Sequence, residues 1–94
     1  MAIKDVAKAF ANKTRGSCHN ASTDGQRYYL QGCVIAQRRT CGVEFHWCDR
    51  YTPPTANHMN KLLAALGSDL RVSYAKARDS SATSFYVEVI WAMV

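Results

Sequence analysis

The sequence predicts an α+β fold in which a four-stranded antiparallel sheet carries two helices packed on one face. Two segments have apolar residues at helical spacing, and four others have the alternation typical of half-buried strands. Polar breaks separate these segments, which gives the predicted order α-β-β-α-β-β. Because the chain has 94 residues, we expect a single compact domain over residues 1–94.

The first predicted helix spans residues 2–13. Its apolar stripe has the i, i+3, i+4, i+7 spacing of one helix face and consists of Ile3, Val6, Ala7 and Phe10. The next segment, residues 14–26, is polar and contains two glycines. We therefore expect an irregular connection there, and connections of this length are often functional.

Two strands are predicted over residues 27–37 and 43–50, joined by a turn around residues 38–42. In the second strand, Val43, Phe45 and Trp47 alternate with polar residues and mark the buried face. In the first strand, one face is predicted to carry Tyr28, Leu30, Val34 and Ala36, and the other Tyr29, Cys33 and Ile35. If both apolar sets are buried, the numbers of two residues paired across the strands must add up to an odd value near 79 or 81. A slip of one residue in the pairing would turn one of the sets toward water.

The second predicted helix begins with Thr55 as its N-cap. Its apolar stripe is formed by Met59, Leu62, Leu63 and Leu66, and Gly67 is placed to end it. His58, in the first turn, is predicted to be a surface residue. Alternation predicts two last strands, one at Leu70, Val72 and Tyr74 and one from Phe85 to Trp91, with a turn at residues 79–82.

The net charge of +5 is concentrated in the first part of the chain. Residues 1–40 hold seven basic and two acidic residues, whereas residues 41–94 hold five of each. Such asymmetry favours a polyanionic partner, although a charge of this size also serves solubility alone. The chain has no apolar run long enough to span a membrane and no secretory signal at its start, so we expect a cytoplasmic protein without a membrane partner.

Sequence motifs for nucleophilic catalysis, for phosphate-binding glycine loops and for metalloproteases are missing from the chain. We therefore predict a protein that is not an enzyme and needs no cofactor. A zinc site or a Cys33–Cys48 disulfide is an alternative use of the cluster formed by Cys18, His19, Cys33, His46 and Cys48. The ligand spacings of zinc motifs do not occur, so these side chains are predicted to be ordinary packing residues and not metal ligands.

Basic residues near the predicted hairpin turn are the best candidates for binding a partner. Arg38 and Arg39 are expected to project from the turn, where a guanidinium group can pair with phosphate without being desolvated. Tyr28 or Tyr29 would offer a surface on which an unpaired base stacks. The candidate site comprises Lys13, Arg15, Arg27, Tyr29, Arg38 and Arg39. The alternative is that these arginines form a solvated edge that discourages strand aggregation.

Two functions are consistent with these residues. The first is a small non-enzymatic binding module that contacts nucleic acid or a ribonucleoprotein through the basic N-terminal half. The alternative is an inhibitor protein from a phage or mobile element, of the anti-CRISPR type. It would block a host protein complex by surface binding, through apolar anchors such as Tyr29, Ile35 and Tyr86. Binding that weakens steeply with salt would favour the first function.

The sequence leaves several properties of the partner open. It does not distinguish RNA from DNA or single from double strands. A homodimer is a further option, suggested by an apolar second sheet face and by the apolar terminus at residues 90–94.

Overall fold

The computed structural model describes residues 2–91 and contains a six-stranded antiparallel sheet with two longer helices and one short helix. Its elements, in chain order, are α1 (Ile3–Ala11), β1 (Gly16–Cys18), β2 (Ala21–Thr23), β3 (Arg27–Leu30), β4 (Cys33–Arg39), β5 (Gly42–His46), α2 (Pro53–Ala65), α3 (Tyr74–Asp79) and β6 (Ser84–Glu88). The strands lie across the sheet in the same order as in the chain. The α+β class with one antiparallel sheet is confirmed, whereas the four strands and the α-β-β-α-β-β order are wrong.

The two additional strands come from residues 14–26, which were predicted to be irregular. They form the hairpin β1–β2, whose two-residue turn places His19 at a φ of +49°. Strands of three residues are too short for alternation to mark them in the sequence. The turn after β2 packs on the chain that leaves α1, because a Cβ added at Gly25 would lie 2.6 Å from the carbonyl carbon of Lys13.

The strand predicted at Leu70, Val72 and Tyr74 is also wrong. Residues 68–73 are irregular, and α3 begins at Tyr74 with the Ser73 hydroxyl accepting a hydrogen bond from the backbone N–H of Lys76. The Asn60 side chain of α2 bonds both backbone groups of Val72, at 2.8 Å to its N–H and 3.2 Å to its carbonyl. These two bonds replace those that a neighbouring strand would have supplied.

The register between β4 and β5 is one of the two predicted from the apolar pattern. Ala36 pairs with Phe45 and Arg38 with Val43, so the paired numbers sum to 81. Between β3 and β4 the register shifts, since Tyr28 pairs with Ala36 but Tyr29 pairs with Val34. Ile35 is the extra residue of this bulge and is fully buried together with Ala36. The bulge therefore corrects the predicted faces at two positions, because it sends Ile35 into the core and leaves Val34 beside Tyr29. Tyr28, Leu30 and Ala36 are buried as predicted.

The core lies between one face of the sheet and the two longer helices. The largest fully buried side chains are Trp47, Tyr28, Phe10, Phe45, Ile35, Met59, Leu62, Leu63, Val6 and Val43. The N-cap of α2 is Thr52 and not Thr55, because the helix starts at Pro53, where a missing N–H costs nothing. Thr55 is instead buried in the first turn, with its hydroxyl 3.0 Å from that of Thr52.

The second face of the sheet carries both polar and apolar side chains. Gln37, Glu44 and His46 are half-buried on it, and Val34 takes the place predicted for Ile35. The apolar terminus that suggested a homodimer includes residues 92–94, which lie outside the described residues. Within residues 2–91, every helix is too short or too polar to cross a membrane.

His58 is a core residue, contrary to the prediction that it lies at the surface. Only 6% of it is exposed, and its Nδ1 lies 2.7 Å from the hydroxyl of Tyr28, which is fully buried. Burial raises the pKa of Tyr28, so the phenol keeps its proton and is hydrogen-bonded to the imidazole of His58. Burial lowers the pKa of His58 below its ordinary value of 6.5, because a charged imidazolium would be desolvated there.

The stability of the protein is expected to fall as the pH decreases below about 6.5. Unfolded His58 takes up a proton near that pH while folded His58 stays neutral, so acid favours the unfolded chain until the folded pKa is reached. His58→Gln, which does not titrate, should make the free energy of unfolding nearly independent of pH between pH 5 and 7. Urea denaturation at several pH values measures this, with the exposed His19→Asn as control. If the free energy of unfolding of His58→Gln changes with pH as steeply as that of the wild type, His58 is not the cause of the pH dependence.

Candidate functional site

A cleft of about 440 Å³ collects residues from separate parts of the chain. Its lining consists of Lys13, Gln26, Arg38, Arg39, Thr40 and Trp91. Lys13 belongs to the turn after α1, Gln26 precedes β3, and Trp91 follows β6. Three lining residues are basic and none is acidic, which favours an anion over a cation in the cleft.

Arg38 is the most buried of the three basic residues, with 8% of its surface exposed. β4 continues to Arg39, so strand alternation turns Arg38 to the same side as Ala36 and places it opposite Val43. The predicted turn began at Arg38, and the expectation that this side chain projects into solvent is wrong. Burial lowers the pKa of Arg38, although an arginine side chain remains protonated in proteins.

Backbone carbonyls and aromatic rings hold the Arg38 guanidinium group. Its Nε donates to the carbonyl oxygen of Gly25 at 3.0 Å, and its Nη2 donates to that of Phe10 in the last turn of α1. Its central carbon lies 3.8 Å from the centroid of the Trp91 ring and 5.3 Å from that of the Phe10 ring. Within residues 2–91, Nη1 is buried without a hydrogen-bond partner, and no carboxylate pairs with this cation.

Trp91 covers Arg38 and forms a wall of the cleft. Its indole Nε1 donates to the carbonyl oxygen of Arg39 at 2.9 Å, so the ring is held by a hydrogen bond as well as by the cation beneath it. The sequence pattern placed Trp91 on the apolar face of the last strand. β6 ends at Glu88, however, and Trp91 lies over the end of β4 instead.

Arg39 lies at the edge of the cleft and shares a carboxylate with His46. Its Nη2 is 3.2 Å from Glu44 Oε1, which also accepts a hydrogen bond from His46 Nε2 at 2.7 Å. The hydrogen bond from His46, followed by that from Arg39, holds the pKa of Glu44 below its ordinary value. Because the Arg39 side chain is 47% exposed, solvent weakens this ion pair and the guanidinium can exchange Glu44 for another anion.

The structure brings Lys13, Arg38 and Arg39 together but not the other predicted site residues. Arg15 is exposed before β1 and does not line the cleft. Arg27 lines a separate depression of about 610 Å³ on the second face of the sheet. Tyr29 is half-buried. Tyr28 is fully buried and has no free face for a base. The cleft residues missing from the predicted site are Gln26, Thr40 and Trp91.

The cysteines and histidines weighed as zinc ligands are dispersed or engaged in other contacts. Burial, and then a hydrogen bond with the Cys33 thiol, raise the pKa of Cys48 to about 11, so this thiol is protonated at neutral pH. Its Sγ also donates to the carbonyl oxygen of Val34 at 3.3 Å. Across residues 2–91, no three His, Cys, Asp or Glu side chains are grouped so that they could hold a metal ion.

The side chains that line the cleft are of the kinds that suit an anion. Its lining contains no carboxylate, imidazole or thiol, and offers positive charge, N–H donors and one aromatic ring. Comparison with protein-family models, with curated proteins and with solved structures gives no match for this chain. The side chains of the cleft are therefore the guide to function.

Arg38→Ala is expected to lower the free energy of unfolding by about 3–6 kcal/mol, because two charge-assisted hydrogen bonds worth about 1.5–3 kcal/mol each are lost. Arg39→Ala removes an exposed ion pair and should cost no more than about 1 kcal/mol. Chemical denaturation of both variants beside the wild type measures the difference. Equal and small losses would show that Arg38 does not hold α1 and the β2–β3 turn to the sheet.

Proposed function

We propose that this protein is a small binding module that contacts nucleic acid through the cleft lined by Lys13, Arg38 and Arg39. The observation that carries the proposal is the convergence of three basic residues, from two distant segments, on a lining without acidic side chains. A phosphodiester backbone is the repeating anion that such a site favours, and guanidinium groups suit its geometry.

The positive charge of the cleft is only partly balanced by acidic side chains of the protein. The hydrogen-bond acceptors of Arg38 are backbone carbonyls, so its full charge remains. Lys13 takes part in no ion pair with the residues between 2 and 91. Of the three basic side chains, that of Arg39 is the one paired with a carboxylate within residues 2–91. Its partner is Glu44, and the contact is open to solvent. A bound phosphate would therefore gain attraction without having to displace a buried ion pair.

The alternative, an inhibitor that binds a host protein complex, has less support. Its predicted anchors were Tyr29, Ile35 and Tyr86, and Ile35 is fully buried. Tyr86 is exposed but lies over Gly42, where an added Cβ would be 2.7 Å from the tyrosine hydroxyl. This ring covers the sheet backbone and leaves less of its surface for a partner.

The test is fluorescence anisotropy with labelled single- and double-stranded DNA and RNA at two or more salt concentrations. The double variant Lys13→Ala/Arg39→Ala should weaken binding about tenfold, because two phosphate contacts are lost. The slope of log affinity against log salt should fall by about 1.4 for a single strand or about 1.8 for duplex DNA. The control is Lys76→Ala/Arg78→Ala, which removes the same charge from exposed residues of α3.

Two results would contradict the proposal. If both double variants weaken binding equally, net charge and not the cleft attracts the ligand. If the wild type binds none of the four nucleic acids at low salt, the basic cleft does not serve nucleic-acid binding, and a protein target becomes the better assignment.

A further inference from the structure

Trp91 separates the basic cleft from a second groove of about 630 Å³. This groove, here called the Trp91 groove, is lined by Thr40, Cys41, Glu88, Val89, Ile90 and Trp91. The cleft and the groove share only Thr40 and Trp91. A ligand that occupies both must therefore pass the indole ring.

The chemical character of the groove differs from that of the cleft. Its lining has no basic residue, and its single ionisable carboxylate is Glu88. Ile90 is 69% exposed, which makes it the most exposed of the large hydrophobic side chains identified within residues 2–91. A phosphate would be attracted to the cleft and repelled from Glu88, whereas an uncharged, flat and partly apolar group would be favoured in the groove.

The indole ring of Trp91 is already ordered by two contacts. Arg38 lies 3.8 Å from the ring centroid, and Nε1 is bonded to the carbonyl of Arg39 at 2.9 Å. A ligand that stacks on this ring does not have to immobilise it, so less of the binding free energy is lost as side-chain entropy. Every nucleobase has an aromatic face suited to such a platform.

We propose that the ligand of this protein is single-stranded nucleic acid, of which one unpaired base stacks on Trp91 in the groove while an adjoining phosphate binds Lys13 and Arg39 in the cleft. This inference rests on the proposed function. Glu88 accepts a hydrogen bond from an N–H group on the edge of the base. A duplex cannot bind in this way, because its bases are stacked on their neighbours and paired at their edges.

The experiment compares an intact single strand of about 12 nucleotides with an abasic strand of the same length and with the matching duplex. The abasic strand keeps the phosphates and lacks the bases. The wild type should bind the intact strand about tenfold more tightly than the abasic strand or the duplex. In Trp91→Ala the two single strands should bind equally, and Trp91→Phe, which keeps an aromatic ring, should retain most of the difference.

Tryptophan fluorescence gives a second readout that needs no destabilising variant. Base stacking should quench the emission of wild-type protein, whereas Trp91→Phe, in which only the buried Trp47 emits, should show no quenching. If Trp91→Ala does not fold, this quenching and the intact-to-abasic ratio of the wild type decide the question.

The outcomes separate the two proposals. Equal binding of intact and abasic strands by the wild type, still sensitive to Lys13→Ala/Arg39→Ala, would overturn base stacking and leave phosphate binding in the cleft intact. Duplex binding as tight as single-strand binding would overturn the inference in the same way. Failure of every nucleic acid to bind would overturn the proposed function together with this inference.

Discussion

A buried arginine, Arg38, joins three segments of the chain, and both the fold and the cleft depend on the contact between these segments. Arg38 reaches from β4 to the last turn of α1 and to the turn between β2 and β3, through the carbonyls of Phe10 and Gly25. These two segments also touch each other, because Gly25 lies against the backbone of Lys13. A planar group with several N–H donors can serve both carbonyls at once, which a lysine ammonium on the same strand could not do as well. The position of Lys13 in the cleft follows from the same contacts.

The burial of this cation is tolerated because its surroundings are arranged around its charge. The carbonyl of Phe10 belongs to the C-terminal end of α1, where the helix dipole is negative, and the rings of Phe10 and Trp91 present aromatic surface to the guanidinium. No carboxylate between residues 2 and 91 neutralises it. The interaction that holds α1 to the sheet therefore also leaves an unbalanced positive charge at the base of the cleft, so the stability of the fold and the charge of the cleft depend on the same side chain.

The parts of the fold that the sequence predicted are those with long, regular apolar patterns. The stripes of α1 and α2 and the alternation of β5 each extend over enough residues for the period to be unambiguous. The errors occur where distant residues decide the structure. Alternation at residues 70–74 resembles a strand, and only the bonds from Asn60 to Val72 show how that backbone is satisfied without one. The bulge at Ile35 likewise depends on how β3 pairs with β4, which is not a local property.

The candidate site was predicted in part, and its main error was a turn that began two residues early, at Arg38. Charge near the turn indicated Lys13, Arg38 and Arg39, all of which line the cleft. The tip is formed by Thr40 and Cys41, so Arg38 and Arg39 are both strand residues on opposite faces. Arg38 is a buried cation that supports the fold, and Arg39 is an exposed candidate for contact with a ligand, although the two residues are identical and adjacent in the sequence.

The roles of these two arginines follow from the register and not from their charge. Burial of Phe45 and Val43 requires that they face the helices, and a pair sum of 81 then sets Val43 opposite Arg38. Arg38 must therefore point inward, and Arg39 outward. Trp91 could not be deduced in the same way, because β6 ends at Glu88 and the ladder no longer determines where the indole lies. The indole lies on the buried cation itself, so the surface that we propose for base stacking can be located only after the inward direction of Arg38 is known.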